Sequence, residues 1–334
     1  AGEILAEGAT GTRYIECTTS NGAVTFAPSA RIVPVPGFNG QVIFTSNWYG
    51  TPSVVNQGTI DFDGAGTLAA VTIGSNSAGN TFQNAATGVV RSTTGAAVTI
   101  ASQTFSNAGT LRMENDTLTL SGSWSSTGTI FLGGTVPTPG TLVLGGSFTA
   151  AALGTLTRTG TTVVRIDGEF NLGGATFNLN ASTGDYTLGS GTIRNGTLGQ
   201  LAGARLRSPN STGTLLDLSV PQELSVDASG RVRILGTSNV PNIRLGANDA
   251  TVGFAPGTVY GGTIIADGPS GERAIETVTA GTLEFSPVAV IRSEGGVNLR
   301  IGNSYWFSTS TTVTNRGRIT SGATGRNVTA GGQN

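Results

Sequence analysis

Three pairs of acidic residues are where this sequence could do covalent chemistry. Asp61 and Asp63 flank Phe62, Glu114 and Asp116 flank Asn115, and Asp167 and Glu169 flank Gly168. Residues two apart on an extended strand share a face, so each pair sets two carboxylates side by side. Cleaving a polysaccharide on a stacked scaffold would need such acids to recur one repeat further along the chain. Near positions 84 and 138 there is no acid, and near 190 the residues are glycine and serine. The spacing argues against catalysis. Each pair could instead hold a calcium ion together with backbone carbonyls, although calcium takes six to eight oxygens. The plainer expectation is a solvated outer face, with Asp61 and Asp63 pointing outward because Ile60 and Phe62 point in.

What the chain lacks excludes more. It has no histidine, and all 18 basic residues are arginine. That removes Ser-His-Asp and Cys-His catalysis, histidine-ligated zinc, Schiff-base chemistry and lysine-based phosphate loops. The single cysteine, Cys17, rules out an intrachain disulfide and a cysteine-rich metal site. It reads as a small buried residue or, if exposed, as a link to another subunit. With 19 acids the net charge is −1, which gives no field to recruit nucleic acid or an anionic membrane. No run approaches the roughly 18 apolar residues needed to span a bilayer. The expectation is a chain that is not an enzyme and needs no cofactor beyond the calcium option.

Binding chemistry is better represented. Arg205-Leu-Arg207 and Arg231-Val-Arg233 each place two guanidinium groups on one strand face, and the pairs lie 26 residues apart. Stacked one coil apart, Arg205, Arg207, Arg231 and Arg233 would form a stripe able to contact carboxylated or sulfated polysaccharide through bidentate bonds. The alternative pairs them with Glu223 and Asp227 at the surface, where ion pairs contribute little. Two aromatic clusters are candidate assembly contacts: Trp48 and Tyr49 near one end, and Tyr305, Trp306 and Phe307 near the other.

The elements that must position these residues repeat. Phe82, Phe105, Trp124, Phe148 and Phe170 follow one another at steps of 23, 19, 24 and 22 residues. Between them lie short alternating runs such as Val98-Thr-Ile100, Leu118-Thr-Leu120 and Leu142-Val-Leu144. Turns with a common grammar punctuate them: Asn56-Gln-Gly-Thr-Ile60, Asn107-Ala-Gly-Thr-Leu111 and Ser126-Thr-Gly-Thr-Ile130. Asn and Gly tolerate the positive φ of sharp corners, and the Thr-apolar start suits a pleated strand. Such a period predicts a right-handed parallel β-helix, a β-solenoid of about 20–25 residues per coil, with the five aromatics stacked in one inward column. Residues 1–50 do not share the repeat and read as a strand-rich cap or assembly segment. Residues 51–334 then form the solenoid, regular over 56–200, with longer loops over 198–260 where Pro209, Pro221, Pro241 and Pro256 mark corners, and with uncapped coils at the C-terminus.

The Asn-x-Gly-Thr grammar, with lines such as Gly109-Thr-Leu-Arg-Met, resembles the repetitive surface proteins of Gram-negative bacteria. These are the autotransporter passengers and filamentous-haemagglutinin-like adhesins, which are secreted parallel β-helices. The resemblance implies fold and compartment: a chain at the cell surface or outside the cell. The start at Ala1-Gly-Glu-Ile also fits release from a signal peptide. On this reading the expected role is an exported structural subunit that partners itself head to tail in a filament, sheath or surface layer. An adhesin or carbohydrate-binding rod is the alternative, and a β-helix polysaccharidase or tailspike a further one.

Overall fold

Runs of four or five residues rich in Thr, Val, Ile and Leu, interrupted by Gly, Asn and Ser, become short strands because branched side chains pack well on a pleated surface. The structure, a computed structural model, describes residues 2–8, 10–15, 22–35, 38, 40–44, 53–63, 70–74, 79–93, 96–201, 203–302, 305–307, 311–322 and 327–331. It is an all-β, parallel β-solenoid with about 23 residues per coil. The chain divides into two units, residues 1–169 and 170–334.

One coil of the first unit shows the construction. The strands Val89–Ser92, Ala97–Ile100 and Thr104–Asn107 form three sides, and Thr110–Glu114 then lies on Val89–Ser92 one level further on. Repetition of this step builds three parallel ladders, A, B and C. Like stacks on like: Val90, Leu111 and Ile130 are in register in ladder A. Val71, Val98, Leu118, Leu142 and Val164 are in register in ladder B. All are buried, each worth about 1.5–3 kcal/mol. In ladder C, Phe82 pairs with Phe105 and Phe105 with Trp124. The rings of Phe82 and Phe105 stack at 5.3 Å, and those of Trp124 and Phe148 at 4.8 Å. Phe170, in the second unit, is equally buried and meets Phe177 edge-on at 5.1 Å.

The turn grammar works differently from the expectation. Asn56, Asn84 and Asn107 are the last residues of their ladder C strands, and none has left-handed backbone. Their side chains point inward and form a buried file: Asn56 donates to Asn84 at 2.9 Å, Asn84 to Asn107 at 2.8 Å, and Asn107 to the Ser126 hydroxyl at 2.9 Å. The amide is selected because it both donates and accepts, so each level satisfies the next. The following glycine is selected for close approach, since a Cβ on Gly109 would lie 2.2 Å from the Gly88 carbonyl oxygen. Left-handed corners occur instead at Asn115 and, in the second unit, Asn195 and Asp217. Asn115 accepts from the backbone and hydroxyl of Thr135, and Asp217 likewise from Thr237.

Residues 1–50, read as distinct from the repeat, contribute strands to the same three ladders. Gly2–Ala6 pairs with Ala30–Pro34, Thr12–Ile15 with Gln41–Phe44, and Ala23–Phe26 with Ser53–Asn56. Paired residues there lie twenty-eight to thirty positions apart, longer than the later coils, which hides the period.

The second unit carries a ladder D from Tyr186–Leu188 to Arg318–Ser321, a ladder E from Thr192–Gln200 to Val328–Ala330, and a short ladder F of Thr258–Tyr260, Gly281–Phe285 and Thr311–Asn315. The expected looser loops over 198–260 are corrected. Arg207 pairs with Ser225, eighteen residues on, and Thr212 with Arg231, nineteen on, so these coils are short. Pro209, Pro221, Pro241 and Pro256 stand between strands, where no ladder hydrogen bond is lost. Inside this unit Arg273 is fully buried, its guanidinium donating to the carbonyls of Leu245, Asp267, Ser270 and Glu272. Burial pulls it below the ordinary arginine value.

Candidate functional site

The acid pairs are occupied. Asp61 does not face solvent; it is fully buried on the outer side of ladder A, sandwiched between Arg31 at 2.7 Å and Arg91 at 2.6 Å. The outward expectation fails because those two long side chains, one level above and one below, close over it. Burial works to raise its carboxyl, but the hydrogen bonds from Arg91 and Arg31 prevail and hold it below the ordinary value. Asp63 takes Arg91 at 3.2 Å and the Thr93 hydroxyl at 2.6 Å. Glu114 pairs with Arg112, and Asp167 with Arg165. Asp116 accepts from the Ser92 hydroxyl and the Thr117 amide, both at 2.7 Å. Among the described residues there is no group of three or more metal-ligating side chains. These carboxylates bind arginine and backbone, and they do not converge on a common point.

The four-arginine stripe is also corrected. Leu206–Arg207 belongs to ladder D, whereas Arg231–Leu235 belongs to ladder E, so the two pairs lie on different sides of the coil. A spacing of 26 overshoots a local coil of eighteen to twenty residues and lands on the next side. Arg207 pairs with Asp185 at 2.7 Å and approaches Asp227 at 3.7 Å. Arg205 is exposed and lines, with Gln200, Gln222 and Glu223, an open recess of about 380 Å³.

Arg231 and Arg233 instead meet the aromatic run expected to serve assembly. Tyr305, Trp306 and Phe307 cross the outer face of ladder E as a strap. The Arg231 guanidinium lies 3.4 Å from the centre of the Trp306 ring, Arg233 lies 5.3 Å from Phe307, and Arg300 lies 5.1 Å from Tyr305. Glu276, fully buried on the strand Glu272–Thr277, anchors the strap. Its carboxylate accepts the backbone N–H of Tyr305 at 2.7 Å, of Trp306 at 3.0 Å and of Phe307 at 2.7 Å. Three consecutive amides aimed at one carboxylate are an anion nest whose anion the protein itself supplies. Tyr305 also donates its hydroxyl to Asp249 at 2.8 Å. Burial, followed by that bond, raises the Tyr305 phenol. Glu272 receives Arg300 at 2.7 Å and Asn298 at 2.9 Å; burial opposes, but these bonds hold its carboxyl low.

The cluster therefore offers two cations backed by aromatic faces, beside a half-exposed indole. Cation–π stacking fixes the guanidinium planes while leaving their edges to donate. The two halves of this site are separately visible in the sequence, as Arg-x-Arg and Tyr-Trp-Phe. Their meeting is not, and neither is the role of Glu276, whose only sequence signal is a carboxylate between Ile275 and Thr277 on a strand. Cys17, Trp48 and Tyr49 lie outside the described residues.

No protein-family model matches the chain, and neither the curated proteins nor the solved structures hold a match to it.

Proposed function

We propose that this chain is a structural protein, an exported subunit that assembles head to tail into an extracellular filament, sheath or surface layer. The first coil carries the reading. Among the described residues its strands Gly2–Ala6 and Thr12–Ile15 pair with Ala30–Pro34 and Gln41–Phe44 alone. They expose Ile4, Leu5 and Tyr14 at 43%, 48% and 54%. An apolar strand edge is a template for another strand. The occupant proposed is the last described coil of a second copy: Thr311–Asn315, Arg318–Ser321 and Val328–Ala330 present strands of similar length in the same succession. Charge favours the match. Residues 296–334 contain Arg300, Arg316, Arg318 and Arg326 with no acid, Arg300 and Arg316 already pairing with Glu272 and Glu284, whereas residues 1–17 contain Glu3, Glu7 and Glu16 against Arg13. A heterologous contact that does not close produces a fibre. The likeness of the turn grammar to secreted bacterial surface proteins supports the compartment. A second reading, an adhesin or carbohydrate-binding rod, draws on the Arg231–Trp306 cluster.

Sedimentation velocity and electron microscopy of the 334-residue chain test the proposal. The sedimentation coefficient is expected to rise with concentration, with filaments of constant width, and Leu5→Asp to remain monomeric with an unchanged melting temperature. Monodisperse monomers at every concentration, for both the parent and Cys17→Ser, would sink it.

A further inference from the structure

We propose that Arg231, Arg233 and Trp306 form a binding site for an anionic polysaccharide on the outer face of ladder E. The inference is independent of self-assembly, since the strap and its arginines lie outside the coil-end strands Gly2–Ala6, Thr12–Ile15 and Val328–Ala330.

Within the second unit, Arg231 and Arg233 are held over the aromatic rings of Trp306 and Phe307 and have no carboxylate among the described residues. Arg207, Arg244, Arg292, Arg300 and Arg316 each reach a carboxylate. The Arg231 Nε is buried without a hydrogen-bond partner. The acids nearest the strap are committed elsewhere: Glu276 to three backbone amides, Glu272 to Arg300 and Asn298, and Asp249 to Tyr305 and Asn248. Two fixed, unneutralised guanidinium groups two residues apart on one strand stand roughly 6.5–7 Å from each other. They suit two acidic groups carried by one polymer, each held through the planar fork. Trp306, 46% exposed, adds an apolar platform of the kind on which a sugar ring rests. The net charge of −1 provides no general attraction for polyanions, so recognition must be local.

The experiment titrates the full chain with polygalacturonate, dextran sulfate, unmodified dextran and a single-stranded oligonucleotide at low salt, following tryptophan fluorescence and calorimetric heat. Saturable binding is expected for an anionic polymer and not for dextran; the carboxylate and sulfate arms identify which acid group is read. Arg231→Gln/Arg233→Gln is expected to weaken binding at least about tenfold, the loss of one charge-assisted bond or more. Arg205→Gln/Arg318→Gln removes the same charge from exposed positions and is expected to bind as the parent does. Should the first double variant melt early, Arg231→Lys/Arg233→Lys keeps the charge without the fork and is expected to show a smaller but measurable loss. Equal losses in both glutamine variants, no saturable binding to either anionic polymer, or tighter binding of a single-stranded oligonucleotide would each overturn the proposal.

Discussion

Asp61 and Asp116 are both buried carboxylates, yet their surroundings drive them in opposite directions. Burial outweighs the bonds from Ser92 and Thr117 at Asp116, so its carboxyl is raised; at Asp61 two guanidinium groups reverse the balance. A carboxyl lowered in the folded state contributes stability that is present above its unfolded value, about 3.9, and lost as pH falls through the folded value. Asp61 therefore contributes at neutral pH and fails in acid. A raised carboxyl has the opposite sign: the folded state holds the proton more tightly, so stability declines as pH rises past the unfolded value. Thermal melts between pH 7 and pH 3 check both. Asp61→Asn is expected to melt lower at pH 7 and to show a flatter decline below pH 4. Asp116→Asn, which keeps an acceptor for Ser92, is expected to melt higher than the parent at pH 7.

At the scale of the strand and its turn, the limiting quantity is the distance between successive corners. Gly109 sits where the Gly88 and Ala85 carbonyl oxygens leave 2.2 and 2.4 Å for a Cβ, and both atoms are backbone that cannot swing aside. Gly109→Ala is expected to cost about 1–3 kcal/mol or more in urea unfolding, whereas Gly2→Ala, with nothing within 4 Å, should be neutral. Legibility follows the same division. The period, the strands and the inward Phe and Leu files were readable because a repeated environment selects a repeated residue type. The segment at 1–50 is not, because its coils of twenty-eight to thirty residues fall out of step with the later ones. The Asn-Gly turn is visible in the sequence, but its composition points to left-handed backbone, whereas burial of the amide and crowding at the glycine are what the fold uses. The arginine stripe does not form because the local coil of eighteen to twenty residues is shorter than the 26-residue spacing of the two pairs. The strap lay beyond reach, since nothing local to Arg231 announces Trp306, seventy-five residues later.

Over the chain as a whole, polar chemistry is turned inward on the protein itself. Carboxylates are taken by arginines one level away or two residues along the chain, amides by amides, and Arg273 by carbonyls. Among the described residues this pattern fits the structural role proposed above, and the Arg231 face is a surface where cations stay without a carboxylate. The strap has a consequence for how such a chain opens. A solenoid in which each coil meets only its neighbours behaves as a one-dimensional array, where opening can stop at any boundary. Tyr305–Phe307 breaks that independence by touching Arg231 and Arg233, the Gly253 surface, Glu276 and Arg300. These stand on four successive strands of ladder E. Those four levels must open together or lose the strap first. Amide hydrogen exchange is expected to report one shared opening free energy across residues 231–301, separating into graded values, coil by coil, in Glu276→Ala.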